Sequence, residues 1–573
     1  VWGVVAVVVL WIVASGIVIA LGLVHASHGM ADVDQAKTHL SASDVVDRAA
    51  SAPLLAAEKE FNSAGGLLHS PLLAPLDIVP VIGRQLRSVQ DLSSASGQVA
   101  RIGADAIDQA HGVLEAPHSS GADRVVELHR LSTLASDTDR ALGRINTGPA
   151  EALVGPLASK HDTFVSDLSE IRTRLQHAAG VAGALTGILQ GPQTYLLLMA
   201  NNAEMRAGSG DFLEVGALST ADGHLQLSHL NQTVSIPVPA GKVTPTGDLE
   251  ARWGWIKPGQ DWRNLGFTPQ FDVNAPLAAQ MWEAETGQHV DGVIAVDVEM
   301  LHQLLEVTGP VTLPNGTVVS PDTVVELLTH DQYEGLVDNP TAQQARAEAG
   351  REDTQGLLAQ AALGALENES LDLKSLSNAM TTATQGRHLL MWSAQPATQA
   401  VWVQAGVAGQ LSADSMMTAV INRGGNKLDQ YLGVYAHLEL TTQGRHTLGT
   451  LTVDLHNSTP PGQSQFIAGP YPGLGTVYGE YLGLLAVNIP GYASQPSIDG
   501  NPTLVALGAE GPTWVIATPV DVKAGQAQQV VIHFTLPLAS GQIRVLPTAR
   551  LSPVTWSYRK TFTTDSVPFT LSW

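Results

Sequence analysis

The chain has 573 residues, 44 % of them hydrophobic and 14 % charged, with a formal net charge of −23 at pH 7 and no cysteine. Neither disulfides nor thiolate metal sites can therefore hold the fold, and apolar cores must do so. The acidic balance argues against nucleic acid and against tight adhesion to an anionic surface, and the length suggests roughly two to four domains.

Residues 1–24 (VWGVVAVVVLWIVASGIVIALGLV) carry no charged side chain. A helix rises about 1.5 Å per residue, so about 20 such residues cross a hydrocarbon core of about 30 Å. This run is expected to be a transmembrane anchor. A cleavable signal peptide has an apolar region of only about 7–15 residues, which favours an uncleaved anchor. After Val24 come His25, His28, Asp32 and Asp34 before the first basic residue, Lys37. That is the polarity of a translocated flank, so the expected localisation is single-pass in the cell membrane with the bulk of the chain extracytoplasmic.

Residues 25–191 read as a helical stalk. Phe164, Leu168, Ile171 and Leu175 recur at helical spacing, as do Leu128, Leu131, Leu134, Thr138 and Leu142. Gly65-Gly66, Pro117 to Gly121, Gly148-Pro149 and Gly191-Pro192 mark breaks. The segment Pro71 to Val89 (PLLAPLDIVPVIGRQLRSV) is unusually apolar for an exposed loop and contains Arg84 and Arg87. It either dips into the lipid interface beside the anchor or is buried between stalk helices.

From residue 192 the period changes. Tyr195 to Ala200 (YLLLMA) and Val293 to Val296 (VIAV) are short apolar runs bounded by turn residues, as buried strands are. Helical stretches at Pro276 to Glu285, Val298 to Val307, Pro321 to Thr329 and Thr341 to Leu366 alternate with them. An α/β sandwich is expected over 192–395, followed by a linker segment at 396–429. Over 430–573, Leu451, Val453 and Leu455 alternate with polar residues, as do Val530, Ile532, Phe534 and Leu536. That period of two predicts an antiparallel β-sandwich, and the fold class overall is α+β multidomain.

The densest polar cluster beside a core strand is Asn201 to Asp211 (NNAEMRAGSGD). Arg206 could fork onto a phosphate while Glu204 and Asp211 share a divalent cation with it. The same residues could instead close the loop by an ion pair. Phe212 to Leu218 reads as a strand, so Gly208-Ser209-Gly210 is no dinucleotide fingerprint. Trp253, Trp255 and Trp262 could stack on sugar rings or fill a core. Glu299, His302 and Glu306 share a helical face, but a di-metal site would need a second such motif.

The segments YLLLMANNAEMRAGSGDFLEVGAL, DGVIAVDVEMLHQLLEVTGPVTLPNG, TAQQARAEAGREDTQGLLAQAAL and GGNKLDQYL, with IVPVIGRQL in the stalk, resemble a bacterial family of membrane-anchored envelope proteins catalogued as domain of unknown function four thousand and twelve. The part from about 192 to 366 also resembles, distantly, the LytR-CpsA-Psr family, which transfers polyprenyl-pyrophosphate-linked glycans onto the cell wall with magnesium. That second resemblance implies a LytR-CpsA-Psr-like central fold with Asn202 and Arg206 near a strand-end acid and arginine. Asp211 would fall near the acid of an Arg-Ser-Asp, Arg263 and Asn264 near a Lys-Ile-Asn, and Arg346 and Arg351 would form a helix pair gripping the pyrophosphate. In that scheme Arg206 and Asp211 are the catalytic residues, Glu204 and Asp211 hold magnesium, and Asn202, Arg206, Arg263, Asn264, Arg346 and Arg351 bind substrate. The pattern departs at Asn202, a weaker metal ligand than an acid, and at Ser235 to Pro239 (SIPVP), where an Arg-Asp is missing. The implied partners are the membrane, a polyprenyl-linked glycan and other envelope proteins. The function expected is binding or processing of such glycans, with a non-catalytic scaffold in envelope assembly as the alternative.

Overall fold

The structure is a computed structural model that describes residues 2–38, 44, 47–115, 121–334, 354–368, 373–471, 473–500 and 502–573. They form two compact units, Val1–Gln190 and Gly191–Trp573.

In the first unit a single helix, α1 (Trp2–Lys37), runs without a break through the apolar stretch and is long and apolar enough to cross a membrane. It is followed by α2 (Ser51–Leu68), a 3-10 segment (Pro71–Ile78), α3 (Ile82–Leu114), α4 (Gly121–Leu142) and α5 (Gly155–Gln190). Glycine lets α2 approach α1 closely. A Cβ at Gly22 would meet Leu68 at 3.0 Å, and one at Gly29 would meet the Phe61 ring at 3.0 Å. Ion pairs join distant segments, among them His25 Nδ1 to Glu60 at 2.6 Å and Lys37 Nζ to Asp167 at 2.7 Å.

In the second unit the apolar run YLLLMA lies within β1 (Gln193–Met205), where alternate side chains enter two different cores. Leu196, Leu198 and Ala200 face one side; Leu197 and Met199 face the other. Burial on both faces is why the strand reads as continuous apolar sequence and not as an alternation. β1 pairs antiparallel with β2 (Gly210–Ala221), which continues to β3 (His224–Leu227) and β4 (Asn231–Gln232). On its other edge β1 pairs parallel with β5 (Gly292–Val296), and β5 pairs antiparallel with the later strand Leu389–Ser393. Helices α6 (Phe271–Thr286), α7 (Val298–Thr308), α8 (Pro321–Thr329), α9 (Thr354–Asn368) and α10 (Leu373–Gln385) belong to this part, as do short helices at Gly247–Trp253 and Pro396–Ala405. α6 packs on the Leu196 face, whereas α7 to α9 pack on the Leu197 face. The helix expected over Thr341 to Leu366 is described only from Thr354 onward.

Two six-stranded sheets follow the short hairpin β6 (Val311–Thr312) and β7 (Val318–Val319) and the strand β8 (Leu389–Ser393). One has the order β13 (Ser494–Ile498), β16 (Ala527–Leu536), β11 (His446–Asn457), β10 (Leu432–Gln443), β18 (Thr555–Tyr558), β19 (Thr561–Thr564). The other has the order β14 (Ala506–Glu510), β15 (Thr513–Val522), β12 (Tyr481–Pro490), β9 (Ser415–Asn422), β17 (Gln542–Val545), β20 (Phe569–Ser572). Pairing is antiparallel except at β10–β18 and β9–β17. Leu451, Val453 and Leu455 are fully buried between the sheets with Ile532, Phe534 and Leu536, as their alternation requires. The β9–β12 sheet is buried on both faces: Val420 and Leu485 enter this core, while Ile421 and Leu484 join the one under Leu196. β9 lies within residues 396–429 and binds this sheet to the α/β part by its second apolar face.

Candidate functional site

β1 and β2 meet in a hairpin whose turn is folded inward. Arg206 N–H donates to Ser209 O at 2.8 Å and Ala207 N–H to Gly266 O at 2.8 Å. The two glycines here serve close packing. A Cβ at Gly210 would lie 2.3 Å from Asn201 O, and one at Gly208 would lie 2.9 Å from Pro269 Cα.

A cavity of ≈ 650 Å³ opens beside this hairpin. Of the residues singled out in the sequence, Glu204, Arg206, Asp211, Arg263 and Asn264 line it. Asn202 does not: its Nδ2 donates to Asp297 Oδ2 and Ala549 O, both at 2.7 Å, and its Oδ1 accepts from Val298 N–H. Asp297 caps α7 through Met300 N–H and also meets His388 Nδ1 at 2.7 Å, so Asn202 belongs to a buried structural network. Arg346 and Arg351 lie outside the described residues.

Within the cavity the charges come in pairs. Arg206 is buried and donates from Nη2 to Asp211 Oδ2 at 2.7 Å, from Nε to Arg263 O at 2.7 Å, and from Nη1 to the carbonyls of Met205 and Asn422. Phe267 covers its guanidinium at 5.6 Å. Lys427 is ion-paired to Glu204 and stands 4.2 Å from the Tyr333 ring centre. Burial alone would lower the Lys427 ammonium; the Glu204 carboxylate outweighs it and holds the group above its ordinary value. Arg263 is gripped by Asp261 through Nε–Oδ1 at 3.0 Å and Nη2–Oδ2 at 2.8 Å, while Asn264 Nδ2 donates to Ile256 O. Asp211 keeps one oxygen, Oδ1, buried without a hydrogen-bond partner. Burial pushes its carboxyl up to about 7 against the pull of Arg206.

This arrangement does not suit the magnesium site expected from Glu204 and Asp211. Magnesium demands near-octahedral oxygen at about 2.0–2.1 Å. Each carboxylate is already bound by a base, Glu204 by Lys427 and Asp211 by Arg206, and the left-over Asp211 Oδ1 is one oxygen where the ion needs several.

The sequence reading missed Arg423 and Lys427, which lie in the Asn422–Asp429 turn (NRGGNKLD) that forms the opposite wall. The run GGNKLDQYL was visible, but nothing local says that its lysine meets a glutamate 223 residues away. The turn is pinned by Asp429, which accepts from Met205 N–H, Asn422 Nδ2, Tyr481 Oη and Arg550 Nη1. Arg423 makes no ion pair among the described residues. It is exposed, and its guanidinium stacks 5.0 Å from the ring of Trp255, itself 47 % exposed. Trp253 and Trp262 are fully buried core residues with their indole N–H groups bonded to Glu510 and to Ile236 O. Only Trp255 of that trio is free to meet a ligand.

A family model described as "Protein of unknown function (DUF4012)" matches residues 190–333. The match takes in the β1–β2 hairpin and Arg263 but stops short of the Asn422–Asp429 wall. No curated protein and no solved structure matches the chain.

Proposed function

We propose that this is a membrane-anchored, extracytoplasmic protein of the bacterial envelope whose cavity binds a polyprenyl-phosphate-linked glycan without turning it over. α1 serves as the uncleaved anchor. The distant likeness of the central part to the LytR-CpsA-Psr family supports the ligand class, and DUF4012 adds no activity of its own. The observation that carries the reading is the division of labour among the cations. Arg206, Arg263 and Lys427 are each neutralised by a neighbouring acid, whereas Arg423 is exposed and paired only with an aromatic face.

An exposed guanidinium on an indole offers an anionic phosphate a forked donor and offers a sugar ring an apolar surface beside it. Turnover needs more: charge stabilisation aimed at the transition state, which self-neutralised pairs do not supply. Phosphotransfer by Arg206 with magnesium on Glu204 and Asp211 is the second reading, and it requires those pairs to open.

The test uses the full chain purified from membranes. Extracted lipid is assayed for phosphate-bearing glycolipid by mass spectrometry, and phosphate release from added polyprenyl pyrophosphate is followed with and without magnesium. The binding reading expects co-purified glycolipid that is depleted in Arg423→Ala, and no magnesium-dependent release. Release that magnesium stimulates and Arg206→Ala abolishes would overturn it.

A further inference from the structure

Among the described side chains of the first unit, the link between α2 and α3 carries the longest unbroken run of exposed apolar residues. Ile78, Val79, Pro80, Val81 and Ile82 are consecutive and all exposed, Ile78 to 84 % and Val81 to 67 %. Between Pro71 and Gly83 the only charged residue is Asp77, and it turns Oδ1 inward. The tip is stiffened by its own backbone: Gly83 N–H donates to Val79 O at 2.8 Å, and a Cβ at Gly83 would meet Asp77 O at 2.4 Å.

What such a patch faces follows from its position along α1. Trp11 Nε1 donates to Leu72 O at 2.9 Å, and Val18 and Ile19 pack with Leu68, Leu73, Leu76 and Leu86. Trp11 is 13 residues before Val24, where the uncharged run ends, which is about 20 Å along a helix. A bilayer that accepts the apolar run of α1 must therefore also accept the segment lying against Trp11. Arg84 and Arg87 are exposed on the next turns, beside Leu86 at the level of Val18 and Ile19, about 9 Å below Val24. That is the depth at which long basic side chains reach lipid phosphates while their stems stay apolar.

We infer that residues 71–82 insert into the outer leaflet beside the anchor, with Ile78 to Ile82 among the acyl chains and Arg84 and Arg87 at the lipid phosphates. The inference rests on reading α1 as the anchor. It turns a one-helix tether into a two-point attachment, which fixes the rotation of the first unit about α1 and sets its height above the membrane.

Because the chain has no cysteine, single substitutions give unique attachment points. Full-length Val81→Cys and Ile78→Cys, each carrying an environment-sensitive fluorophore, are reconstituted in phospholipid vesicles with doxyl-labelled acyl chains inside or iodide outside. Val165→Cys, near the Lys37–Asp167 pair and beyond the apolar run, is the aqueous control, and Val13→Cys on α1 is the lipid control. The expected result is several-fold stronger doxyl quenching and several-fold weaker iodide quenching at Val81 and Ile78 than at Val165. Iodide quenching at both loop positions equal to that at Val165, with Val13 still quenched by doxyl lipid, would overturn the inference alone. Loss of doxyl quenching at Val13 as well would overturn the anchor reading beneath it.

Discussion

Replacing Arg550 by methionine removes one half of an ion pair whose side chains are 2 % and 1 % exposed. Arg550 Nη1 donates to Asp429 Oδ1 at 2.9 Å, and Nη2 donates to the carbonyls of Asp429 and Leu432. Asp429 would be left buried with three donors, Met205 N–H, Asn422 Nδ2 and Tyr481 Oη, at 2.9, 3.0 and 2.9 Å. Breaking such a pair from one side costs about 3–5 kcal/mol, because the remaining charge keeps its desolvation penalty. Burial already holds the Asp429 carboxyl above its usual range with Arg550 present, and removing the guanidinium raises it further. A carboxyl with a raised folded value is bound more tightly to its proton in the folded state. Stability lost at high pH is therefore regained as pH falls through that value, each tenfold gain in proton affinity being worth about 1.4 kcal/mol. Urea unfolding followed by tryptophan fluorescence reports on Gly191–Trp573, since every tryptophan but Trp2 and Trp11 lies there. The loss in Arg550→Met should be full at pH 8 and clearly smaller at pH 5. Asp429→Asn/Arg550→Met should be about 1–3 kcal/mol more stable than the sum of the single losses allows. Equal losses at both pH values, with strictly additive single effects, would refute the reasoning.

Other consequences are independent of that pair. Asp565 accepts Val554 N–H on Oδ1, leaves Oδ2 buried without a partner, and is pushed up to about 7 by burial. Its folded value is raised, so its contribution to stability falls as pH rises from about 4 to 7; Asp565→Asn should stabilise by roughly 2–4 kcal/mol at pH 8, by about 1–2 kcal/mol at pH 5 and little near pH 4 in the same urea assay. Gly210→Ala would drive a methyl to 2.3 Å from Asn201 O and should cost about 1–3 kcal/mol in the same unfolding assay. Lys427→Met leaves Glu204 buried without its cation and should lower the thermal midpoint, whereas Lys427→Met/Glu204→Leu should recover much of that loss in a calorimetric scan.

Local pattern explains how far the sequence could be read. YLLLMA is a short apolar run between turn residues, and both cores of the second unit need it, so the strand was legible. Val530 to Leu536 was legible for the opposite reason, since one face is buried and the other wet. MMTAVIN at β9 carries the same double-faced signature as YLLLMA, but its partners, β12 and β17, come after it in the chain. It therefore stood inside a stretch read as linker. The cavity shows the same limit more sharply. Glu204, Arg206, Asp211 and Arg263 stand out by type and spacing, yet their chemistry depends on what they pair with. Lys427 and Asp261 convert apparent ligand-binding groups into neutral pairs, and the Lys427 partnership spans 223 residues. Asn202 illustrates the converse: its resemblance-based role lapses because Asp297 and Ala549 O consume its amide.

The proposed binding centres on the cavity and on Arg423 at its rim. Its most direct test is calorimetric titration of a short-chain polyprenyl-phosphate glycan into the full chain, beside Arg423→Ala and Val234→Trp. Val234 lines the cavity and is 60 % exposed, so a larger side chain there fills the entrance without entering a core. The predicted result is saturable binding, unchanged by EDTA, weakened about tenfold by Arg423→Ala (about 1.4 kcal/mol) and abolished by Val234→Trp. Identical affinity in all three proteins, or no binding by any of them, would contradict it.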